Sequence, residues 1–265
     1  MKSYTHILAQ KNRRSGIITF NRPSVHNALN IEMIREFQDA FDVLDSDEEV
    51  SVIMIQSNGK NFSAGADLEW MRSGLDQSEA ELNAESTELA LLFHTIHTST
   101  KVVVSVVRGK ALGGANGIIA ASDIVLASDN AAFAFTEVKL GLLPATISPF
   151  VVRKVGHSVA TEWMISGRQF TAEEAYNRGY VHRLVADDLL SQEAQNLLSE
   201  LLKNAPGSLK GMKELIAFLE GKRDPNEIIR HTANLIAQFR VSEEGQEGIR
   251  SFFEKRQPNW RDEEK

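Results

Sequence analysis

Cysteine is absent from all 265 residues, which excludes disulfides, thiolate nucleophiles and cysteine-held metals. Long apolar runs are missing as well. No stretch reaches the length of a membrane span, and the opening MKSYTHILAQKNRRSG has no run long enough for a signal peptide. The terminal DEEK is not a targeting tail of the SKL or KDEL kind. The expectation is a cytoplasmic, bacterial-type protein that does not bind membranes. Neither a P-loop nor a GxSxG elbow occurs, so nucleotide hydrolysis and serine acyl transfer have no motif behind them. A basic excess is lacking too: the net charge of −7 argues against nucleic acid as the main partner, because phosphate binding rests on clustered Lys and Arg. There is no repeat of fixed length and no low-complexity linker.

The residues that are present describe a globular chain, with 42% hydrophobic and 25% charged residues, enough to bury a sizeable core. THILAQ, GIITF and VSVIMIQS (50–57) read as early strands. Asn30 is placed to cap a helix with the apolar stripe Ile31, Ile34, Phe37, Phe41 and Leu44. A long helix is expected over 78–98, a buried strand over 101–109, a helix to about 122, then the short strands DIVLAS and AAFAF. Beyond Pro144 and Pro149 the pattern turns helical, over 157–166, 171–178, 187–203 and from 206 onward, without clear strands. The fold class is therefore α/β with a helical C-terminal portion. The expected division is a core over 1–195 and a helical region over 196–265.

Two glycine-rich turns each follow a strand, FSAGAD at 62–67 and GKALGGANG at 109–117. Such turns expose backbone N–H groups, and two of them converging would make an oxyanion hole; they also serve simple packing. Glu137 follows a short apolar strand in FAFTEVKLGLLPATISPFVVRKVG (133–156). A carboxylate in apolar surroundings acquires a raised pKa and suits acid–base work; at a strand end it also reads as a surface residue. His94 and His97 lack a third metal ligand at fixed spacing and read as helix packing or solvent-exposed positions. Asp67 and Asp123 suit bonding to local backbone.

NRPSVHNAL, FSAGADL, GKALGG, FTEVKLGLLP and FFEKRQPNW stand in order along the chain. In order and spacing they resemble the crotonase, or enoyl-CoA hydratase/isomerase, superfamily over essentially the whole length. The resemblance implies a spiral of ββα units with two nearly perpendicular sheets and a C-terminal trimerisation region, in homotrimers or dimers of trimers. It implies acyl-CoA substrates with no further cofactor, coenzyme A being part of the substrate, and no metal. The thioester carbonyl would be polarised by the N–H groups of Ala66 and Gly114, with Glu137 as acid and base. Ala64, Asp67, Gly113, Gly117, His26, Phe252 and Lys255 match positions near the substrate. His26 stands where relatives often have Lys, and Phe252 and Lys255 match residues that reach the CoA of a neighbouring subunit.

Typical hydratases of this superfamily carry a second glutamate three positions after the oxyanion glycine, and here that position is Gly117. Three reactions remain open with Glu137 alone. A hydratase would use it to take a proton from water and return it to the α-carbon. A Δ3,Δ2-enoyl-CoA isomerase needs only one base, and a decarboxylase needs little beyond the oxyanion hole. A non-catalytic binding protein is the fourth reading. The segment around Glu137 is similar to the methylglutaconyl-CoA hydratases of bacterial leucine degradation, some of which also carry glycine at the first glutamate position. A substrate with a second carboxylate needs a cation or several donors beyond Glu137. The candidates are Lys139, Arg153, Lys154, Thr146, Ser148 and Arg72.

Overall fold

The structure is a computed structural model that describes residues 2–221 and 224–264, the last three by backbone alone. The chain opens with β1 (Ile7–Asn12) and β2 (Ser15–Phe20), which pair antiparallel. α1 (Ile31–Ser46) follows, started by the Asn30 side chain, which accepts from the Met33 N–H at 3.0 Å. Of the expected stripe, Ile34, Phe37, Phe41 and Leu44 are buried and Ile31 is half-buried, while Met33 and Ala40 complete the buried face. Then come β3 (Val52–Ser57), α2 (Leu68–Ser73), α3 (Glu79–Thr98), β4 (Val102–Val107), β5 (Lys110–Leu112) and α4 (Ala115–Ala121). The next elements are β6 (Ile124–Ser128), β7 (Ala132–Ala134), α5 (Ser148–Ser166), β8 (Gln169–Thr171), α6 (Ala172–Asn177) and β9 (Arg183–Val185). Four helices finish the described chain: α7 (Leu190–Leu202), α8 (Pro206–Leu219), α9 (Pro225–Val241) and α10 (Glu243–Glu254). No helix among the described residues is long and apolar enough to cross a membrane.

Some elements depart from the sequence reading, β8, β9 and α5 among them. The half beyond Pro144 does contain strands, β8 and β9, each of three residues. They are too short to show a period of two. α5 begins at Ser148 and runs across Gly156, whose φ of 78° breaks the helix locally; the pattern found only its second half. The division expected at 195/196 falls inside α7. That helix buries Leu190, Ala194, Leu197 and Leu198 against Val52, Met54, Val104 and Leu126, so the whole helix covers one face of the sheet.

The strands form a six-stranded sheet in the order β1-β2-β3-β4-β6-β9 and a three-stranded sheet in the order β5-β7-β8. The chain spirals between them. β4 pairs in the large sheet, β5 in the small one, and α4 closes the turn; β6 and β7 repeat the pattern one turn on. The turn before does the same with less: after β3, Ser63 makes a single parallel bridge to Ala111 of β5. Ser63, Ala111 and Phe133 are thereby in register across the small sheet. Ala66 and Gly114 each lie three residues beyond these positions, and Glu137 lies four beyond. Three successive turns of the spiral thus bring three separate motifs to one level at one edge.

Asn116 fixes that edge. It is fully buried, and its amide NH2 donates to the carbonyls of Ala111 (3.0 Å), Gly113 (3.3 Å) and Ala134 (3.1 Å). Its Oδ1 accepts from the Tyr180 hydroxyl at 3.1 Å. One side chain thus joins β5, the glycine turn, the end of β7 and the segment between α6 and β9. Each buried polar group left without a partner costs about 1–3 kcal/mol. Asn116→Ala is therefore expected to lower unfolding free energy by at least about 2 kcal/mol in urea titration; a loss below about 0.5 kcal/mol would show that water replaces the amide.

Candidate active site

The segment after β3 is strapped to the turn before α1. Ala64 N–H donates to the His26 carbonyl (2.9 Å), Leu29 N–H to Gly65 (2.7 Å) and Asp67 N–H to Leu29 (2.9 Å). In extended chain, successive residues point their backbone groups to opposite sides. With Gly65 and Asp67 facing Leu29, the Ala66 N–H faces away, and it has no acceptor among the described residues. The strap is held from below by Asn27, whose amide donates to Asn58 and Asn61 carbonyls at 2.8 and 2.9 Å. Arg22 reaches the Ala28 carbonyl (2.6 Å) and the Asp67 carboxylate (2.9 Å).

The second turn works differently. Gly113 adopts φ of 49°, in the left-handed region that suits glycine, and its N–H donates to Ala134 at 2.9 Å. The next N–H, that of Gly114, is left without an acceptor among the described residues. A Cβ at Gly113 would lie 3.2 Å from Glu137 Oε1, so the missing side chain leaves room for the carboxylate. Glu137 begins a short 3-10 turn (Glu137–Leu140) closed by Gly141 in the left-handed conformation. Its Oε2 is buried with no hydrogen-bond partner among the described residues. Burial pushes the carboxyl above the ordinary glutamate value of 4.5, against a small opposing effect of its own N–H.

Ala66, Gly114 and Glu137 line one cavity of ≈ 190 Å³. The rest of its wall is Leu29, Trp70, Leu89, Leu143, Pro144, Thr146 and Ile147. Two unengaged N–H donors and one desolvated carboxylate thus face a largely apolar space. Such donors can hold negative charge developing on an oxygen, while the carboxylate accepts or gives a proton. Sequence reading reached these three residues through their motifs. It missed Trp70, and it missed Asn116, whose signal was a polar residue inside the otherwise small and apolar run GGANGIIAA.

Other residues assigned to the substrate stand elsewhere. Gly117 does not line the cavity: it is buried, and a Cβ there would collide with the Phe93 ring and lie 2.6 Å from Ile147 Cγ2. These two apolar side chains fill the space beside the glycine. Asp67 caps α2 through the Glu69 N–H at 2.9 Å. Although desolvation opposes it, that N–H and Arg22 hold its carboxyl below the usual range. His26 is exposed, and its Nδ1 lies 3.1 Å from Asn61 Nδ2. Phe252 is 78% exposed on α10 and Lys255 caps that helix in the left-handed conformation, so neither lines the cavity of its own chain.

Of the six candidates for a second carboxylate, only Thr146 reaches this cavity. Arg153 Nε is paired with Glu220 at 2.6 Å. Lys154 donates to the Ile119 and Ser122 carbonyls (3.3 and 2.5 Å) at the end of α4, and burial pulls its ammonium down to about 7. Ser148 Oγ donates to Pro144 at 2.6 Å. Lys139 and Arg72 line neither this cavity nor the larger one beside Trp70. His97 packs edge-on against Phe150, with ring centroids 5.6 Å apart.

Comparison with known proteins gives the family. Residues 11–263 match the model of the enoyl-CoA hydratase/isomerase family, and the chain belongs to that family, the crotonases. A Thermus thermophilus protein provisionally named an enoyl-CoA hydratase is 36% identical over 92% of this chain and 96% of its own. The 2,3-dehydroadipyl-CoA hydratase of Escherichia coli is 28% identical over 97% of this chain and 99% of its own. A Legionella pneumophila crystal structure, provisionally assigned as an enoyl-CoA hydratase/isomerase (crotonase), superposes with a TM-score of 0.94. It is 41% identical and covers 97% of this chain and 100% of its own.

The packing around Gly117 gives a direct test. Overfilling a close-packed core costs about 1–3 kcal/mol, and a carboxylate buried against Phe93 adds desolvation. Gly117→Glu is expected to lower the unfolding free energy by at least about 2 kcal/mol in urea titration. A variant as stable as the parent would mean that Phe93 and Ile147 yield freely.

Proposed function

We propose that the protein hydrates 2-enoyl-CoA thioesters. The observation that carries this reading is the cavity in which Ala66 N–H, Gly114 N–H and the unpartnered Glu137 Oε2 meet. The thioester oxygen accepts from the two N–H groups. Glu137, as carboxylate, takes a proton from a water whose oxygen bonds to C3. The C2–C3 π electrons move to the thioester oxygen as an enolate, where fixed donors need no reorganisation. Collapse of the enolate takes the proton from Glu137 onto C2, leaving a 3-hydroxyacyl thioester and the carboxylate as it began. Burial of Glu137 suits both halves, since a raised pKa eases proton return.

The space beside Gly117 favours a second reading. Phe93 and Ile147 occupy it, so no second carboxylate attends the reaction from there, as in a 3-enoyl to 2-enoyl isomerase working with a single base. Hydratase names among the relatives support hydration as the principal activity. The finer assignment to 3-methylglutaconyl-CoA rests on the resemblance of residues 135–156 and on the glycine at 117. For assembly, exposed apolar residues on α8–α10, among them Met212, Ile216, Ile236 and Phe253, support association of copies through this region into trimers or dimers of trimers.

A rate comparison of crotonyl-CoA hydration with 3-hexenoyl-CoA isomerisation decides between the two readings: hydration is expected to dominate by at least about tenfold, and the reverse order assigns an isomerase. Glu137→Gln is expected to keep acyl-CoA binding and to lower hydration by at least about 10², the low end for general acid–base catalysis. Turnover within threefold of the parent overturns the role of Glu137. The active form is the carboxylate, so kcat/KM of the parent should fall with acidification through a pKa above 4.5. The raised pKa means the folded state holds this proton more tightly than the unfolded chain. Ionised Glu137 therefore weakens the fold at neutral pH. Glu137→Gln should melt higher than the parent at pH 7, with the gain vanishing below the unfolded value of 4.5.

A further inference from the structure

A second cavity of ≈ 520 Å³ shares Ala66 and Trp70 with the first. An acyl chain that leaves the oxyanion donors past the Trp70 ring enters it. Its wall is mostly apolar, with Met71, Leu75, Leu82, Leu140 and Leu142, and carries one ionisable side chain, Glu85 of α3. Glu85 Oε2 accepts from the Trp70 indole N–H at 2.6 Å, and Oε1 accepts from the Gln77 amide at 2.9 Å. Both donors are neutral. No Lys, Arg or His among the described residues forms an ion pair with Glu85; the neighbouring Arg35 is taken by Glu88 at 2.7 Å. The carboxylate is thus held firmly in place with its charge uncompensated by contact.

We propose that Glu85 is a specificity residue that excludes acyl chains ending in a carboxylate, so that the chain accepted beyond Trp70 is uncharged and apolar. This deepens the hydratase reading and rests on it. A second carboxylate entering this cavity meets no cation on the wall, gains nothing from its apolar side chains, and faces the like charge of Glu85. An alkyl chain meets five large apolar side chains instead. Glu85 touches the acyl chain and not the reacting atoms, so its influence falls on which thioester binds.

The geometry also supplies a clean variant. Glu85→Gln removes the charge and keeps the shape. Its Oε1 can still accept from Trp70, and its NH2 can donate to Gln77 once that amide turns over. Gln77 Oε1 is at present buried and without a partner; in the turned amide it accepts from position 85 and the NH2 takes its place, so the number of bonds across the clamp is unchanged. The clamp between α2 and α3 survives without the charge.

The test uses saturated thioesters, hexanoyl-CoA and adipyl-CoA, which differ by a terminal carboxylate and do not react. Titration calorimetry on the parent is expected to give at least tenfold tighter binding of hexanoyl-CoA. In Glu85→Gln the ratio of the two dissociation constants should fall at least fivefold, chiefly through tighter adipyl-CoA binding. Equal affinities in the parent overturn the proposal, as does an unchanged ratio in the variant. A parallel loss for both ligands reveals a merely structural clamp and overturns it too. Binding of neither thioester overturns this inference together with the proposed function, whereas binding without discrimination overturns this inference alone.

Discussion

The buried amide of Asn116 is the constraint on which the site depends. Three backbone carbonyls from β5, the glycine turn and β7 converge on one NH2 group, and Tyr180 holds the other end of the amide. The Ala134 carbonyl also accepts from the Gly113 N–H and the Gly113 carbonyl from the Asn116 N–H, both at 2.9 Å, so removing the amide strips each carbonyl of one bond in a close-packed interior where water does not replace it. With it, Gly113 is held in its left-handed conformation and the next N–H is left pointing into the cavity. A group that does not line the cavity therefore decides where the unengaged N–H of Gly114 lies.

The spiral supplies the rest of the precision. Ser63, Ala111 and Phe133 are locked in register by the small sheet, and each motif leaves the sheet a fixed few residues later. Position along the chain is thereby converted into position around a cavity. The donors are backbone groups, so side-chain rotamer freedom does not blur them. The carboxylate begins a 3-10 turn and faces a glycine that offers it no Cβ at closer range. The wall is completed by apolar residues of α2, α3 and the 142–147 loop. Rigidity at the reacting end coexists with an open apolar mouth, where Leu75 and Leu143 are 83% and 77% exposed.

Much of this was readable from the residues. α1 announces itself by its cap and stripe and the strands before α4 by β-branched runs, whereas Ala66, Gly114 and Glu137 were singled out by the resemblance to the crotonases, the glycine turns and the apolar setting alone leaving packing and surface roles open. The short strands β8 and β9 were not readable, because three residues carry no period and their pairing is fixed by tertiary contact alone. The break at Gly156 hid the first half of α5. The Trp70–Glu85 bond links residues on two helices separated by a turn, and no periodicity signals it. The basic residues around 153 and 154 looked like candidates for a ligand anion. In the fold, one is satisfied by a glutamate of α8's far end and the other by the carbonyls that finish α4. Sequence tells which side chains are able to act, and packing decides which of them are already engaged.

The filled space beside Gly117 constrains the routes by which this sequence could change. A glutamate there becomes tolerable only after Phe93 and Ile147 have both become smaller. Each of those changes made first opens a void in the core, and shrinking a buried phenylalanine to alanine costs about 3–5 kcal/mol, a large share of a domain's net stability. The intermediates between the one-carboxylate and the two-carboxylate arrangement are thus less fit to fold than either end. A single Gly117→Glu change therefore loses stability before it can supply a second group, and drift at position 117 is held back by its neighbours. The arrangement is an epistatic lock, set by two hydrocarbon side chains that take no part in the reaction.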